Sequence, residues 1–341
     1  MGDLVVPHGG ILKPLIVYEA KKCKALRREA KSLQRVCLSS MEKSDIIMMA
    51  SGAFSPLEGF MTRADYGAVL SHMCLSDGIL WPIPITFSVS RQVAQQIKES
   101  EKIALVDTDR DELMGVMTVQ DRYAYDKRVE ARRIFGTEDE NHPAVAKLYE
   151  QGEYYLGGTV EVLSEGEYPG KYPEYARPEE TRALFTRLGW EKVAAFQTRN
   201  PMHRSHEYLV KIALEVCDGV LIHPIVGKLK KEDIPAEVRM RCYQVMLDKY
   251  FPRDRVALKV YPMEMRYGGP REAVLHAIIR QNFGCSRLIV GRDHAGVGKY
   301  YGPFDAQKIF DELPEGAIQI QPLKLDWTFW CYTCGGMASM K

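Results

Sequence analysis

An amide, a guanidinium and two imidazoles fall within one short stretch, Gln197-Thr198-Arg199-Asn200-Pro201-Met202-His203-Arg204-Ser205-His206. Side chains of these types are hydrogen-bond donors suited to oxyanions. The apolar run at 193–196 just before them reads as a short buried strand. Asn200-Pro201 then reads as the start of a helix, because Asn caps well and proline lacks only an N–H that the first turn does not use. Leu209, Ile212, Ala213 and Val216 follow at the spacing of one helical face. A strand, a tight turn and a helix start make an anion site, since the first N–H groups of a helix and its dipole favour negative charge. His203 and His206, three apart, would be neighbours on that helix. Two such histidines can equally be surface residues or two ligands of a metal.

What the stretch lacks is also informative. No carboxylate occurs in it before Glu207, which on a helix points about 100° away from His206. A zinc hydrolase would want a third ligand and a carboxylate base. A site made of donors suits a nucleophile that is already an anion, such as sulfate, from which no proton need be removed. Catalysis then consists of positioning and charge stabilisation, as in phosphoryl transfer. Such a site would also discriminate. Sulfate only accepts hydrogen bonds, whereas hydrogen phosphate carries a proton that needs an acceptor, so phosphate should bind poorly and selenate should compete.

Elements around the stretch must hold it in place. Strand candidates at 219–222, 255–260 and 287–290 alternate with helices expected at 235–250 and 270–282. That alternation predicts parallel βαβ units and a doubly wound sheet. Ligands of such sheets sit beyond the carboxyl ends of the strands. The loop Gly291-Arg292-Asp293-His294-Ala295-Gly296-Val297-Gly298-Lys299 takes that position after Val290. It fails as a dinucleotide fingerprint, because a GxGxxG from Gly296 would need glycine where Tyr301 stands, and no Walker A sequence is present. Phosphate recognition therefore falls to the helix start and to side chains.

Residues 1 to about 165 have a different texture. Strand-like pieces at 11–12, 46–49, 83–89, 103–106 and 113–119 predict a mostly β unit, with a helix at 90–99. The stretch 52–61 reads as a packed loop burying Phe54 and Phe60, and the turn-rich run 164–173 as a linker.

The totals set limits on all this. A chain of 341 residues should hold two or three domains. A net charge of +1 argues against nucleic acid as a partner. No apolar run nears the roughly 20 residues that cross a bilayer, and the N-terminus has no secretory pattern. Eight scattered cysteines suit reduced thiols, so a cytoplasmic location is expected.

The stretch 197–206 resembles the QxRNPxHxxH signature of ATP sulfurylases, and 291–296 resembles their GRDHAG loop. The resemblance extends through 52–61, 223–227 and 265–273, nearly the whole chain. It implies a prokaryotic-type member without a fused APS kinase. The fold implied is a PUA-like β-rich domain at 1–165, a Rossmann-like nucleotidyltransferase α/β domain with a parallel sheet at 166–325, and the start of a small C-terminal domain at 326–341. The implied reaction is ATP + sulfate ⇌ adenosine 5′-phosphosulfate (APS) + pyrophosphate. By the same resemblance Gln197, Arg199, Arg292 and the backbone at Ala295 would hold sulfate, and Gln197, Thr198, Arg199, Asn200, Gly291, Arg292, Asp293 and His294 the nucleotide. Thr198, Arg199, Asn200, His203 and His206 would be catalytic, the two histidines facing the departing pyrophosphate. Mg2+ would arrive on ATP, held mainly by phosphate oxygens and water. Cys331 and Cys334 make half of a possible Zn2+ site, and a homodimer is expected. The competing readings are another histidine-motif nucleotidylyltransferase and a non-catalytic RNA-associated PUA-like protein.

Overall fold

The computed structural model describes residues 4–227 and 234–340. Among these, six strands of the first half form one mixed sheet: β1 (Gln34–Cys37), β2 (Gly59–Phe60), β3 (Phe87–Val89), β4 (Lys102–Asp107), β5 (Glu112–Ala124) and β6 (Tyr154–Val162). The order is β1-β4-β5-β6-β2, with β3 also on β6. Only β1 and β4 pair in parallel. β6 runs in a crowded channel, where a Cβ at Gly158 would come within 2.1 Å of the Thr118 carbonyl.

Residues 46–49, expected as a strand, lie instead in the helix Ser40–Ala50. A four-residue apolar run cannot by itself separate a strand from a buried helix. The capping box decides: Glu42 N–H donates to Ser39 Oγ, and Ser39 N–H donates to the Glu42 carboxylate at 2.7 Å. Ile46 to Ala50 are all buried and even Glu42, Ser44 and Asp45 are, so the helix is enclosed on every side and shows no apolar stripe. The helix expected at 90–99 is shorter. Ser90 caps Arg91–Gln96, and the fully buried Ile97 returns to extended backbone.

The second half follows the βαβ reading. β7 (Val193–Thr198), β8 (Gly219–Pro224), β9 (Val256–Leu258), β10 (Arg287–Val290) and β11 (Gln321–Lys324) form an all-parallel sheet in the order β11-β10-β7-β8-β9. Helices Arg204–Val216, Ala236–Lys249 and Gly269–Asn282 make the crossovers. From β7 the chain steps outward to β8 and β9, then returns to place β10 on the other side of β7. The sheet therefore reverses direction between β7 and β10, which is where open α/β sheets bind ligands. A hairpin, β12 (Thr328–Cys331) and β13 (Gly336–Ser339), packs on the helix Arg204–Val216.

Helix Gly269–Asn282 joins the two halves and is almost wholly buried. Asn282 donates to the carbonyls of Ala53 and Ser55 at 3.0 Å each, so the 52–61 loop is a structural dock for it. Arg266, just before this helix, pairs with buried Asp45 at 2.5 Å. Removing one member of such a pair leaves an uncompensated buried charge, which costs about 3–5 kcal/mol. Asp45→Asn is expected to lower the unfolding free energy by about that amount in a urea titration.

Candidate active site

The strand β7 ends at Thr198, whose hydroxyl turns the chain: Oγ1 accepts from Asn200 N–H at 3.1 Å and lies 3.2 Å from the Asn200 carbonyl. That carbonyl also accepts from Tyr243 Oη at 2.7 Å. The helix start differs from the expected one. Asn200-Pro201 belongs to the turn, and the N-cap is His203, with the helix running Arg204–Val216. The Thr198 turn ties up the Asn200 backbone, so capping passes three residues on, to an imidazole.

The cap defines both histidines. His203 Nδ1 accepts from Ser205 N–H at 3.2 Å, and His206 Nδ1 accepts from His203 N–H at 3.4 Å. An imidazole nitrogen that accepts carries no proton, so each ring bears its hydrogen on Nε2 and offers it as a donor. The ring centroids are 4.0 Å apart. Burial, and then the nearby His203, lower the His206 pKa to about 4, so its imidazole is neutral at physiological pH.

The loop after β10 is shaped by backbone strain. Asp293 and Ala295 have φ of 55° and 56°, the left-handed region that non-glycine residues seldom enter. Such conformations persist where surrounding bonds over-determine them and gather at ligand sites. Here Asp293 N–H donates to the Pro303 carbonyl at 2.9 Å, and Gly296 N–H to the Asp293 carbonyl at 3.1 Å. Arg292 pairs with Asp293 at 3.0 Å and lies 4.2 Å from the centroid of the Trp327 ring. Burial, together with His276 and Arg280, pushes the His294 imidazole well below its ordinary value.

Both loops open on one cavity of about 470 Å3. Gln197, Thr198, Arg199, Asn200, His203, His206, Gly291, Arg292, Asp293, His294 and Ala295 all line it. Glu207 does not. It bonds Lys211 at 2.5 Å, as its angle on the helix requires. The cavity is nevertheless not purely donor-lined, because Asp293 and Asp326 border it. Neither carboxylate is idle: Asp293 holds Arg292, and Asp326 accepts from Trp327 N–H at 2.6 Å.

Sequence reasoning missed three participants. Tyr267 accepts from Arg199 Nη1 at 3.1 Å, and the guanidinium lies 5.5 Å from its ring centroid. Trp327 reaches the cavity from the segment leading into the hairpin, and no spacing rule points to it. His276 lies 3.1 Å from the Gln197 amide nitrogen, and nothing in an apolar helix pattern marks it.

Metal sites need more than the described residues offer. Cys331 and Cys334 flank the tip of the β12–β13 hairpin, and N–H donation from Cys334 and then Thr333 lowers the Cys331 thiol pKa. A structural zinc ion takes four ligands. Among the described residues no three His, Cys, Asp or Glu side chains gather to hold a metal, so the pair does not fit a zinc site on its own. Nor is any described helix long and apolar enough to cross a membrane.

Residues 174–341 match the ATP-sulfurylase family model, and residues 5–165 match that of a PUA-like domain. The chain is 54% identical over 342 residues to the sulfate adenylyltransferase of Pelodictyon phaeoclathratiforme, covering 99% of this chain and 85% of that protein. It is 54% identical over 341 residues to the sulfate adenylyltransferase of Chlorobaculum tepidum, covering 99% and 84%. Among solved structures it is similar to one described as hexameric APS kinase from Thiobacillus denitrificans, with a TM-score of 0.76 and 29% identity. That likeness covers 99% of this chain and 60% of the other.

Proposed function

The chain belongs to the ATP-sulfurylase family and is a sulfate adenylyltransferase, and we propose that its reaction proceeds by direct attack of sulfate on the α-phosphate of ATP within the cavity between β7 and β10. The observation that carries this reading is the meeting of Arg199 and Arg292 across that cavity, one from each side of the sheet reversal.

Sulfate and the α-phosphate are both anionic, so the barrier is largely charge repulsion and disorder of approach. Arg199 and Arg292 would neutralise sulfate, with Gln197 and the Ala295 backbone fixing its orientation. Thr198, Asn200 and the 291–294 segment would hold the nucleotide. As the bond to the β-phosphate breaks, charge builds on pyrophosphate. The Nε2–H groups of His203 and His206 would donate to it, the latter exchanging its bond to the Pro201 backbone for one to phosphate. Magnesium supplies charge neutralisation on the phosphates when it enters with ATP, and phosphate oxygens and water supply its ligands.

Substrate selection gives the test. Sulfate and selenate accept hydrogen bonds only, and a site rich in donors suits both. Hydrogen phosphate would leave its O–H facing Arg292, Arg199 or Gln197, and one lost buried hydrogen bond costs about 1–3 kcal/mol. Pyrophosphate release should depend strictly on sulfate. Selenate should compete with a constant near the sulfate KM, and phosphate should need about five- to a hundredfold more. Release without sulfate, or tight phosphate inhibition beside weak selenate competition, would refute the reading.

A further inference from the structure

A buried chain of hydrogen-bonding groups lies behind the cavity and joins both loops. Glu272 and His276 occupy successive turns of the helix Gly269–Asn282, and both side chains are fully buried. His276 Nε2 lies 3.4 Å from Glu272 Oε1. The carboxylate also accepts from Arg266 N–H at 2.8 Å and Gly268 N–H at 2.9 Å, which fixes it in place. The Gln197 amide nitrogen lies against the same imidazole, 3.1 Å from Nδ1 and 3.5 Å from Nε2, and His294 Nε2 is 3.1 Å from Nδ1.

The chemistry of the carboxylate propagates along this chain. Burial raises the Glu272 pKa, but the bonds from His276 and the two backbone amides outweigh it and leave the group lowered, hence ionised. An ionised carboxylate can only accept, so His276 must carry its proton on Nε2. Burial outweighs the pull of Glu272 and lowers the His276 pKa, so the ring is neutral and Nδ1 is a bare acceptor. A bare acceptor attracts an N–H and repels a carbonyl. Gln197 must then turn its NH2 toward His276, and His294 must carry its proton on Nε2. The buried Gln197 Oε1 correspondingly has no partner among the described residues.

We propose that Glu272 and His276 are a positioning pair for sulfate, setting the Gln197 amide so that it presents N–H rather than C=O to the anion and tying that choice to His294 in the opposite loop. The idea rests on the reading of Gln197 as a sulfate donor. An amide turned the other way would aim a carbonyl oxygen at sulfate, which accepts only. The single lone pair of Nδ1 is shared by two donors, so when Gln197 turns an N–H from its weak contact with Met265 Sδ, 3.9 Å away, to sulfate, His294 can take the larger share. The two loops are thereby coupled through one atom that touches no substrate.

Two substitutions separate this role from mere packing. Asparagine places an acceptor near the position of Nδ1, whereas glutamine reaches the position of Nε2. His276→Gln should raise the sulfate KM roughly tenfold, the loss of one buried hydrogen bond, with the ATP KM within about twofold. His276→Asn should recover most of that rise. In a Gln197→Ala background, which itself should raise the sulfate KM, His276→Gln should add little, because both changes remove one interaction. Equal effects of glutamine and asparagine, equal shifts in both KM values, or full additivity would overturn the proposal. If Gln197→Ala leaves the sulfate KM unchanged, the placement of sulfate itself fails. If only His276→Gln does so, the positioning idea alone fails. A measurement on the unaltered protein guards against misfolding of the variants. Proton and nitrogen spectra of histidine-labelled protein should show a slowly exchanging imidazole N–H, bonded to carboxylate, that shifts on adding sulfate. A response confined to rapidly exchanging imidazoles would count against the pair.

Discussion

Replacing Arg199 with alanine is expected to lower sulfate-dependent pyrophosphate release by about a thousandfold, the order seen when a charge-stabilising donor leaves a preorganised site. Arg199 stands on the turn after β7 and faces the cavity with one N–H committed to Tyr267. The phenol and the ring face behind it hold the guanidinium plane, so its remaining donors are aimed before substrate arrives. A mobile cation would have to be ordered in the transition state, and that cost would subtract from catalysis. Lysine preserves charge but not the planar fork, so Arg199→Lys should fall between alanine and the unaltered protein. Initial rates at saturating ATP and varied sulfate would measure this, with a thermal melt on each variant as the folding control. An alanine variant within tenfold of the parent rate would remove Arg199 from the chemistry.

The second large effect is expected at His206. Its Nδ1 is occupied by the His203 N–H, so the group it would direct at phosphate is Nε2–H, drawn away from the Pro201 backbone. His206→Ala should lower kcat by roughly a hundredfold or more. Glutamine carries an N–H near the position of Nε2, so His206→Gln should lose much less. The pH dependence follows from the sign of the shift. Burial and the neighbouring His203 lower the pKa to about 4, so the neutral donor form is complete from about pH 5 upward. The profile of kcat/KM for ATP reports the free protein. His206 should therefore contribute no acid limb near 6.5, the ordinary imidazole value. A rate that falls on the alkaline side of 6.5, and no longer falls there in His206→Gln, would show that His206 acts in its charged form instead.

The competition between selenate and phosphate bears on the same electrostatics from the substrate side, and the Asp45→Asn titration bears on the frame. Arg266, the partner of Asp45, donates its backbone N–H to Glu272. The ion pair between the two halves thus also supports the carboxylate behind the sulfate site. A loss of stability there and a loss of sulfate affinity at His276 would be two readings of one buried network.

Most of the cavity lining between β7 and β10 was legible in the chain alone, for a physical reason. A loop at the end of a parallel strand gathers its functional side chains within a few residues, so Gln197 to His206 and Gly291 to His294 announce themselves by type and spacing. Alternation of apolar runs with helix-length segments was likewise enough for the βαβ architecture, because its periodicity is local. Tertiary structure decided the rest. Only the strand order puts β10 beside β7 and brings the two loops to one cavity, since pairing of distant strands leaves no local mark. The apolar run at 46–49 became a helix through the Ser39–Glu42 capping box. The helix after β7 began at His203 rather than at Asn200 because Thr198 and Tyr243 had already claimed the Asn200 backbone. Tyr267, Trp327 and His276 reach the cavity or its lining residues from three separate segments. Their roles arise from where folding leaves them, and no spacing in the sequence encodes that.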